Sequence, residues 1–80
     1  MLTGEQIRAA RALARLEQTD LAERAELSLA TIKRLERIKG PIGANTATEA
    51  AIRKALSGAG VILIDENGEG PGVRLRKSQG

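Results

Sequence analysis

The chain has 80 residues, of which 41% are hydrophobic and 29% are charged, so it can bury one small core and is too polar for a membrane protein. It contains no cysteine, histidine or aromatic residue. This composition excludes disulfide frameworks and Cys/His zinc sites, removes the commonest general base and the best nucleophile, and disfavours aromatic stacking of single-stranded nucleic acid. A net charge of +3 mildly favours a polyanionic partner.

The first half of the chain predicts three helices. The first follows Thr3, whose hydroxyl is placed to cap it, with Gln6 three residues later to complete a capping box. Its apolar stripe is expected at Ile7, Ala10, Leu13, Ala14 and Leu16. A second helix is predicted over residues 18–25 and a third over residues 29–37, with Ser28 as its N-cap. Because only three residues separate these two helices, they must cross at a steep angle.

The second half begins with a loop rich in glycine and proline, followed by a fourth helix. This helix is predicted to begin at Thr46, with Glu49 completing a second capping box, and to end at Gly58 or Gly60. Its alanine content makes it a strong helix former. Asn45 is expected either to cap this helix alone or to reach a phosphate as well.

The last segment predicts a β-hairpin. Residues 61–65 are mostly β-branched and apolar, Asn67-Gly68 is a strong turn signal, and residues 73–76 alternate apolar and basic side chains. The turn can be wider than two residues, because Pro71 belongs at a turn or an edge. A frayed tail is expected over residues 78–80. The predicted units are therefore residues 1–58, a helical domain, and residues 59–77, a hairpin packed on it or extending it.

Two roles stay open for the hairpin. Its apolar side chains either cover the remaining hydrophobic surface or form a dimer interface, through edge-strand pairing or an exposed apolar face. The side chains in question are Val61, Leu63, Val73 and Leu75. Its basic residues, Arg74, Arg76 and Lys77, are alternatives for contact with a nucleic-acid backbone. We expect the hairpin to pack on the helices and the protein to be a homodimer.

Residues 18–37 have the apolar pattern of a helix-turn-helix. Ala22 is small enough for the following helix to pack against it, Leu27 fills the turn, and Ile32 and Leu35 fix the third helix to the core. The other face of that helix carries basic residues: residues 33–39 hold four basic side chains and one acid. A helix of this kind fits the DNA major groove, where arginine can bind guanine through two hydrogen bonds.

The same segment closely resembles the XRE family of Cro and phage-repressor type helix-turn-helix regulators. The resemblance is carried by Gln18-Thr19-Asp20-Leu21-Ala22-Glu23-Arg24-Ala25, Leu27-Ser28 and Thr31-Ile32-Lys33-Arg34-Leu35-Glu36, and it extends over residues 7–56. It implies a mainly α, four-helix, lambda-repressor-like DNA-binding domain, here with a C-terminal β-hairpin. The family usually closes its fold with a fifth helix, and the hairpin occupies that place.

The resemblance also implies roles for individual residues. Bases of double-stranded DNA would be met by Leu29, Ala30, Lys33 and Arg34, of which Arg34 is the first candidate. Phosphates would be met by Gln18, Thr19, Ser28, Thr31, Arg37, Lys39 and Asn45, although Thr19 is equally explained as a plain first-turn residue. Arg11 and Glu36 would form a structural ion pair that ties the first helix to the third, and Arg8 and Arg15 are expected to be solvated.

Two residues depart from the family pattern. The turn usually contains glycine where the backbone has positive φ, but here it has Glu26, which should be strained there by roughly 1 kcal/mol. The residue before Gln18 is usually serine or threonine, but here it is Glu17. Both departures predict a turn that is less than optimal.

The sequence therefore predicts a cytoplasmic, sequence-specific transcriptional regulator, a homodimeric repressor that binds an inverted-repeat operator in double-stranded DNA. No enzyme activity, cofactor, metal or membrane association is expected. The alternative is a protein-interaction module of the same fold, such as an antitoxin or a bridging factor. DNA affinity that depends on Lys33 and Arg34 would separate the two hypotheses.

Overall fold

A computed structural model describes residues 1–77 of the chain, so the tail predicted at residues 78–80 lies outside the described residues. Residues 1–77 form a mainly helical domain with four helices and a two-stranded antiparallel hairpin. The elements in chain order are α1 (Gly4–Ala14), α2 (Gln18–Ala25), α3 (Leu29–Glu36), α4 (Thr46–Gly58), β1 (Val61–Ile64) and β2 (Gly72–Leu75). Helix α3 ends one residue earlier than predicted, with Arg37 as its C-cap.

The core is made by all four helices together with the first strand. Its fully buried large side chains are Leu2, Ile7, Leu21, Ile32, Leu35, Ile52, Leu56 and Val61. Leu2 and Ile42 were not predicted in the core. The Ile42 N–H donates to the Leu2 carbonyl at 3.0 Å, which ties the chain before α1 to the loop before α4 and buries both side chains.

The predicted apolar contact of Leu13 is wrong, because its side chain is 39% exposed. It follows Ala9, which is also exposed, by one turn of α1. Leu75, for which cover by the helices and an exposed apolar face were both left open, is 51% exposed.

The helix caps agree with the prediction at α1 and differ at α4. Thr3 and Gln6 form the expected capping box, with backbone-to-side-chain hydrogen bonds of 2.9 and 3.0 Å. At α4 the predicted box of Thr46 and Glu49 is wrong. The N-cap is Asn45, whose Oδ1 accepts from the Thr48 N–H at 2.8 Å, and Glu49 instead pairs with Arg53 at 3.0 Å.

The turn between α2 and α3 has the backbone conformation that the family resemblance implied. Glu26 lies in the left-handed region with φ 56°, which normally disfavours a side chain. The Leu27 N–H donates to the Ala22 carbonyl at 2.9 Å and so closes the turn. At the start of α2, Asp20 accepts from the Glu17 N–H at 2.9 Å, which provides a capping bond where no serine or threonine is present.

Gly4 allows α1 to approach the end of α3 closely. A β-carbon at this position would lie 2.1 Å from the Ile38 carbonyl oxygen and 2.8 Å from the Leu35 carbonyl oxygen. Both neighbours are backbone atoms, which cannot rotate away as the end of a long side chain can. Only glycine fits between these two segments.

The hairpin packs across α1 and reaches α4 through its first strand. Its register pairs Val61 with Leu75 and Leu63 with Val73, and a seven-residue loop over residues 65–71 connects the strands. The turn is therefore wider than two residues, as Pro71 allowed. Within residues 1–77, no helix is long and apolar enough to cross a membrane.

Gln6 joins the hairpin to α1. Its side-chain Nε2 donates to the carbonyls of Ile64 and Gly72, each at 3.0 Å, while its Oε1 accepts from the Thr3 N–H. Ile64 and Gly72 face each other where the two strands open into the loop. One buried amide thus completes the start of α1 and holds the open end of the hairpin.

Candidate nucleic-acid interface

The exposed face of α3 is formed by four residues spaced along one side of the helix. They are Ala30, Lys33, Arg34 and Arg37, the last being the C-cap, and their spacing of three or four residues places them on one side. The opposite side buries Ile32, Leu35 and Glu36. Within residues 1–77, no acid lies within ion-pairing distance of the three basic side chains. We call these four residues the basic face of α3.

The first turn of α2 lies next to the start of α3. Gln18, Thr19, Leu29 and Lys33 line one shallow depression together with Glu17. Two residues predicted to meet phosphates are therefore brought beside two predicted to meet bases. Leu29 is partly buried against the core, whereas Ala30 is exposed.

An ion pair fixes α3 to α1, as the family resemblance implied. The Nε of Arg11 lies 2.7 Å from Glu36 Oε2, and Nη2 of Arg11 lies 3.0 Å from Glu36 Oε1. The Glu36 side chain is only 4% exposed. Hydrogen bonding to Glu36 is the main reason that the pKa of Arg11 is raised above its ordinary value; partial burial opposes it, and the negative charge of Glu36 adds to the increase.

The same carboxylate also positions the start of α2. The Nε2 of Gln18 donates to Glu36 Oε1 at 3.1 Å, and Nη1 of Arg11 donates to the Leu16 carbonyl at 2.9 Å. Glu36 therefore accepts hydrogen bonds from both α1 and α2 while it belongs to α3. A bidentate arginine–carboxylate pair fixes angles as well as distance, so these contacts hold the basic face of α3 in a set orientation.

Arg8 is exposed, as the sequence predicted, but it also adds a second link between α1 and α3 that the sequence did not predict. Its Nη1 donates to the Glu36 carbonyl at the C-terminal end of α3. A positive charge is favourable there, because the last carbonyls of a helix carry partial negative charge. The spacing of Arg8 and Arg11 by three residues was the available signal, since it places both on neighbouring turns of one side.

The remaining predicted phosphate contacts lie at the start of α3 and in the segment between α3 and α4. Ser28 is exposed and caps α3, with its Oγ accepting from the Thr31 N–H at 3.1 Å and lying 2.8 Å from Thr31 Oγ1. Lys39 and Asn45 are exposed in the loop and cap that follow α3. Asn45 does not line the depression at α2. Its Oδ1 accepts a hydrogen bond in the cap of α4.

Glu17 is an acidic neighbour of the predicted contacts. It lines the depression with Gln18 and Thr19, and its backbone N–H is already bonded to Asp20. Its carboxylate would repel a phosphate at the first turn of α2.

No known family model and no curated protein matches the chain. A function can therefore be proposed only from the geometry of these residues.

Proposed function

We propose that this protein is a sequence-specific, double-stranded DNA-binding transcriptional regulator with a lambda-repressor-like fold, resembling the XRE family. The observation that carries the proposal is the basic face of α3, exposed along one side of a helix whose other side is fixed to α1 and α2. Such a helix matches the width of the major groove.

Arg34 and Lys33 are the proposed base contacts of this face. Both are exposed, and neither forms an ion pair within the described residues 1–77, so no internal bond has to break when they meet DNA. An arginine can bind guanine O6 and N7 through two hydrogen bonds, and a lysine can bind the same atoms. Ala30 and the exposed part of Leu29 would contact thymine methyl groups beside them.

The first turn of α2 is proposed to meet a phosphate. The backbone N–H groups of Gln18 and Thr19 have no acceptor within the described part of the chain, and the N-terminal end of a helix favours an anion. Glu17 opposes this contact, so the rest of the phosphate binding is assigned to Arg37, Lys39 and the hydroxyls at the start of α3. Such contacts set the register of a protein on the duplex rather than its sequence preference.

The regulator is proposed to act as a homodimer on an inverted repeat. One recognition helix of eight residues contacts few base pairs, and two copies related by a two-fold axis would read two half-sites about one helical turn apart. Occupation of such a site is the simplest mode of control and corresponds to repression.

Selection of bound sequences from random double-stranded DNA tests the proposal. We expect an enriched inverted repeat, together with affinity that falls steeply as salt concentration rises. Lack of an enriched motif would overturn the proposal and favour the alternative of a protein-interaction module.

A matched pair of double variants assigns the contact to α3. Lys33→Ala with Arg34→Ala removes one lysine and one arginine from the basic face and should weaken binding to the selected site by about tenfold or more. Arg24→Ala with Lys54→Ala removes the same charges from the exposed groove between α2 and α4 and should change the affinity little. Equal losses in both double variants would mean that only net charge matters.

A further inference from the structure

The outer edge of β2 presents unpaired backbone groups. The Arg76 N–H donates to the Gly60 carbonyl at 2.6 Å, which marks residues 60 and 76 as a hydrogen-bonded pair. Bonded and non-bonded pairs alternate along antiparallel strands. The pairs Val61–Leu75 and Leu63–Val73 are therefore non-bonded, so Val73 and Leu75 direct their N–H and C=O groups to the outer edge of β2.

This edge is more open than that of β1. Strand β1 packs against both α1 and α4, whereas α1 is the helix against which β2 packs. Within residues 1–77, the backbone groups of Val73 and Leu75 make no hydrogen bond outside the hairpin. Exposed edges of this kind readily pair with another strand, unless charge, proline or a covering segment prevents it.

Exposed apolar side chains lie beside the same edge. Leu75 is 51% exposed and Leu13 is 39% exposed, the two largest such values among the leucines. Leu13 follows Ala9 by one turn on the side of α1 that carries Gln6, and Ala9 lines a groove with Val73. Because α1 packs against β2, we group the strand edge with these apolar side chains and call them the β2 edge surface.

The hairpin has opposite charges at its two ends. Its loop carries Asp65, Glu66 and Glu69, whereas its other end carries Arg74, Arg76 and Lys77. Asp65 pairs with Arg53, and Glu66 accepts from loop amides. Arg76 is bonded to Ser57. Glu69 and Lys77 have no ion pair within the described residues and remain for intermolecular contact.

We propose that the β2 edge surface binds a second copy of this chain, with the two β2 strands antiparallel in a continuous four-stranded sheet. Antiparallel pairing of identical strands places Lys77 of each hairpin beside the acidic loop of the other, so the charges at the two ends are complementary. The exposed Arg74 side chains of the two copies lie opposite each other at the centre and oppose the pairing. Leu13 and Leu75 of both copies are then covered together. The dimer itself does not depend on the proposed function. Only its role does, because this surface would join the two subunits of the proposed regulator.

Hydrogen exchange followed by NMR tests the strand pairing directly on the full chain without DNA. The N–H groups of Val73 and Leu75 should exchange more slowly as protein concentration rises, because they gain acceptors in the dimer. The Arg74 N–H is the internal control, since its pair with Ile62 already bonds it within the hairpin. Equal concentration dependence at all three amides, or none at any, overturns the proposal.

Sedimentation equilibrium tests the apolar part of the surface. The wild-type chain should be a dimer, and Leu13→Lys or Leu75→Lys should raise the dimer dissociation constant about tenfold or more. Ala12→Lys adds the same charge at an exposed position on the neighbouring side of α1 and should leave the constant near the wild-type value. A monomeric wild-type chain at millimolar concentration, or equal effects of all three substitutions, overturns the proposal.

Charge reversal tests the orientation of the two strands. Glu69→Lys and Lys77→Glu should each weaken the dimer about two- to fivefold, as expected for exposed charges, and the combined variant should regain much of the loss. If each single substitution weakens the dimer and the combined variant does not regain affinity, the antiparallel arrangement is wrong. DNA binding is measured separately on a single half-site. A dimer without DNA affinity defeats the proposed function alone, whereas a DNA-binding monomer defeats this inference and the proposed homodimer but leaves DNA recognition by α3 standing.

Discussion

The two long sides of α1 are joined to the rest of the molecule in different ways. The side facing α3 is closed: Gly4 touches backbone, and Arg11 is bonded to a carboxylate that is almost fully buried. The side facing the hairpin is held by Gln6 at one end and leaves Leu13 and Leu75 partly exposed at the other. The close contact between α1 and α3 therefore orients the proposed recognition helix, whereas the looser contact between α1 and the hairpin leaves apolar surface exposed for a partner.

Gly4→Ala should produce the largest loss on the closed side. The added β-carbon meets two backbone carbonyl oxygens, so α1 must move away from α3 and the core beneath them must open. We expect a loss of roughly 3 kcal/mol or more in unfolding free energy, measured by far-ultraviolet circular dichroism in denaturant. Gly58→Ala, where nothing lies within 4 Å of the new carbon, is the control and should not destabilise; similar losses in both would contradict the role given to Gly4.

Glu36→Gln should have the next largest effect on stability, a loss of about 3 kcal/mol in unfolding free energy. It leaves the Arg11 guanidinium, which is 21% exposed, without a charged partner and weakens the link to Gln18. Thermal or denaturant unfolding gives the value. Glu23→Gln makes the same change on an exposed residue of α2 and should be nearly neutral, so equal stability of the two variants would show that the ion pair contributes nothing.

Substitutions of Gln6 should have a smaller effect, on the side of α1 that faces the hairpin. Two of them separate its role in capping α1 from its role in holding the hairpin. Gln6→Ala loses the cap and both hairpin bonds and should cost about 2 kcal/mol. Gln6→Glu keeps an acceptor for the Thr3 N–H but replaces the amide donor with a carboxylate facing the Ile64 and Gly72 carbonyls. Faster amide exchange in the hairpin of Gln6→Glu, with α1 still protected, is the expected result; an undisturbed hairpin would argue against the link.

Glu26→Gly should stabilise the closed side slightly. Relief of the strain at φ 56° is worth about 1 kcal/mol, although the greater freedom of glycine in the unfolded chain offsets part of it. A higher melting temperature is therefore expected. Glu23→Gly, within the same helix, should lower the melting temperature because glycine disfavours helix interiors. A decrease for Glu26→Gly would contradict the turn geometry.

Glu5→Gln should give the smallest effect on stability, present at neutral pH and lost in acid. The Gly40 N–H donates to Glu5 Oε1 at 3.0 Å, and this bond is the main reason that the pKa of Glu5 lies below its ordinary value of 4.5. A lowered pKa in the folded state stabilises the fold above the ordinary pKa, and this stabilisation is lost as the pH falls through the folded-state value. The stability difference between wild type and Glu5→Gln should therefore change between neutral and acidic pH; a constant difference would exclude the linkage.

The sequence predicted those features that depend on near neighbours. The capping box of Thr3 and Gln6 and the bounds of α2 depend on residues that are close in sequence. The positive φ of Glu26 was implied by the family resemblance, in which this turn position is usually glycine. The pairing of Arg11 with Glu36 was predicted from family resemblance, because the spacing of these residues in the chain carries no information about their contact.

The features that were missed depend on long-range packing. Nothing local in Gly4 indicates that it touches the end of α3, and Arg8 is an ordinary exposed residue until α3 ends beside it. Asn45 caps α4 as expected, whereas the capping box of Thr46 and Glu49 failed because both Asn45 and Thr46 have side chains that can cap a helix. Leu75 fits an alternating strand, but its exposure depends on where α1 stops covering β2.

The amide of Gln6 also sets an order of events during synthesis. Its hydrogen-bond acceptors lie 58 and 66 positions further along the chain, so α1 remains incompletely bonded until both strands of the hairpin have been synthesised. Contacts this distant in sequence are formed slowly, since their loops must close first. The nascent protein therefore completes its native fold only after translation has passed the second strand, and shortened products that end before it would expose α1 to aggregation or proteolysis.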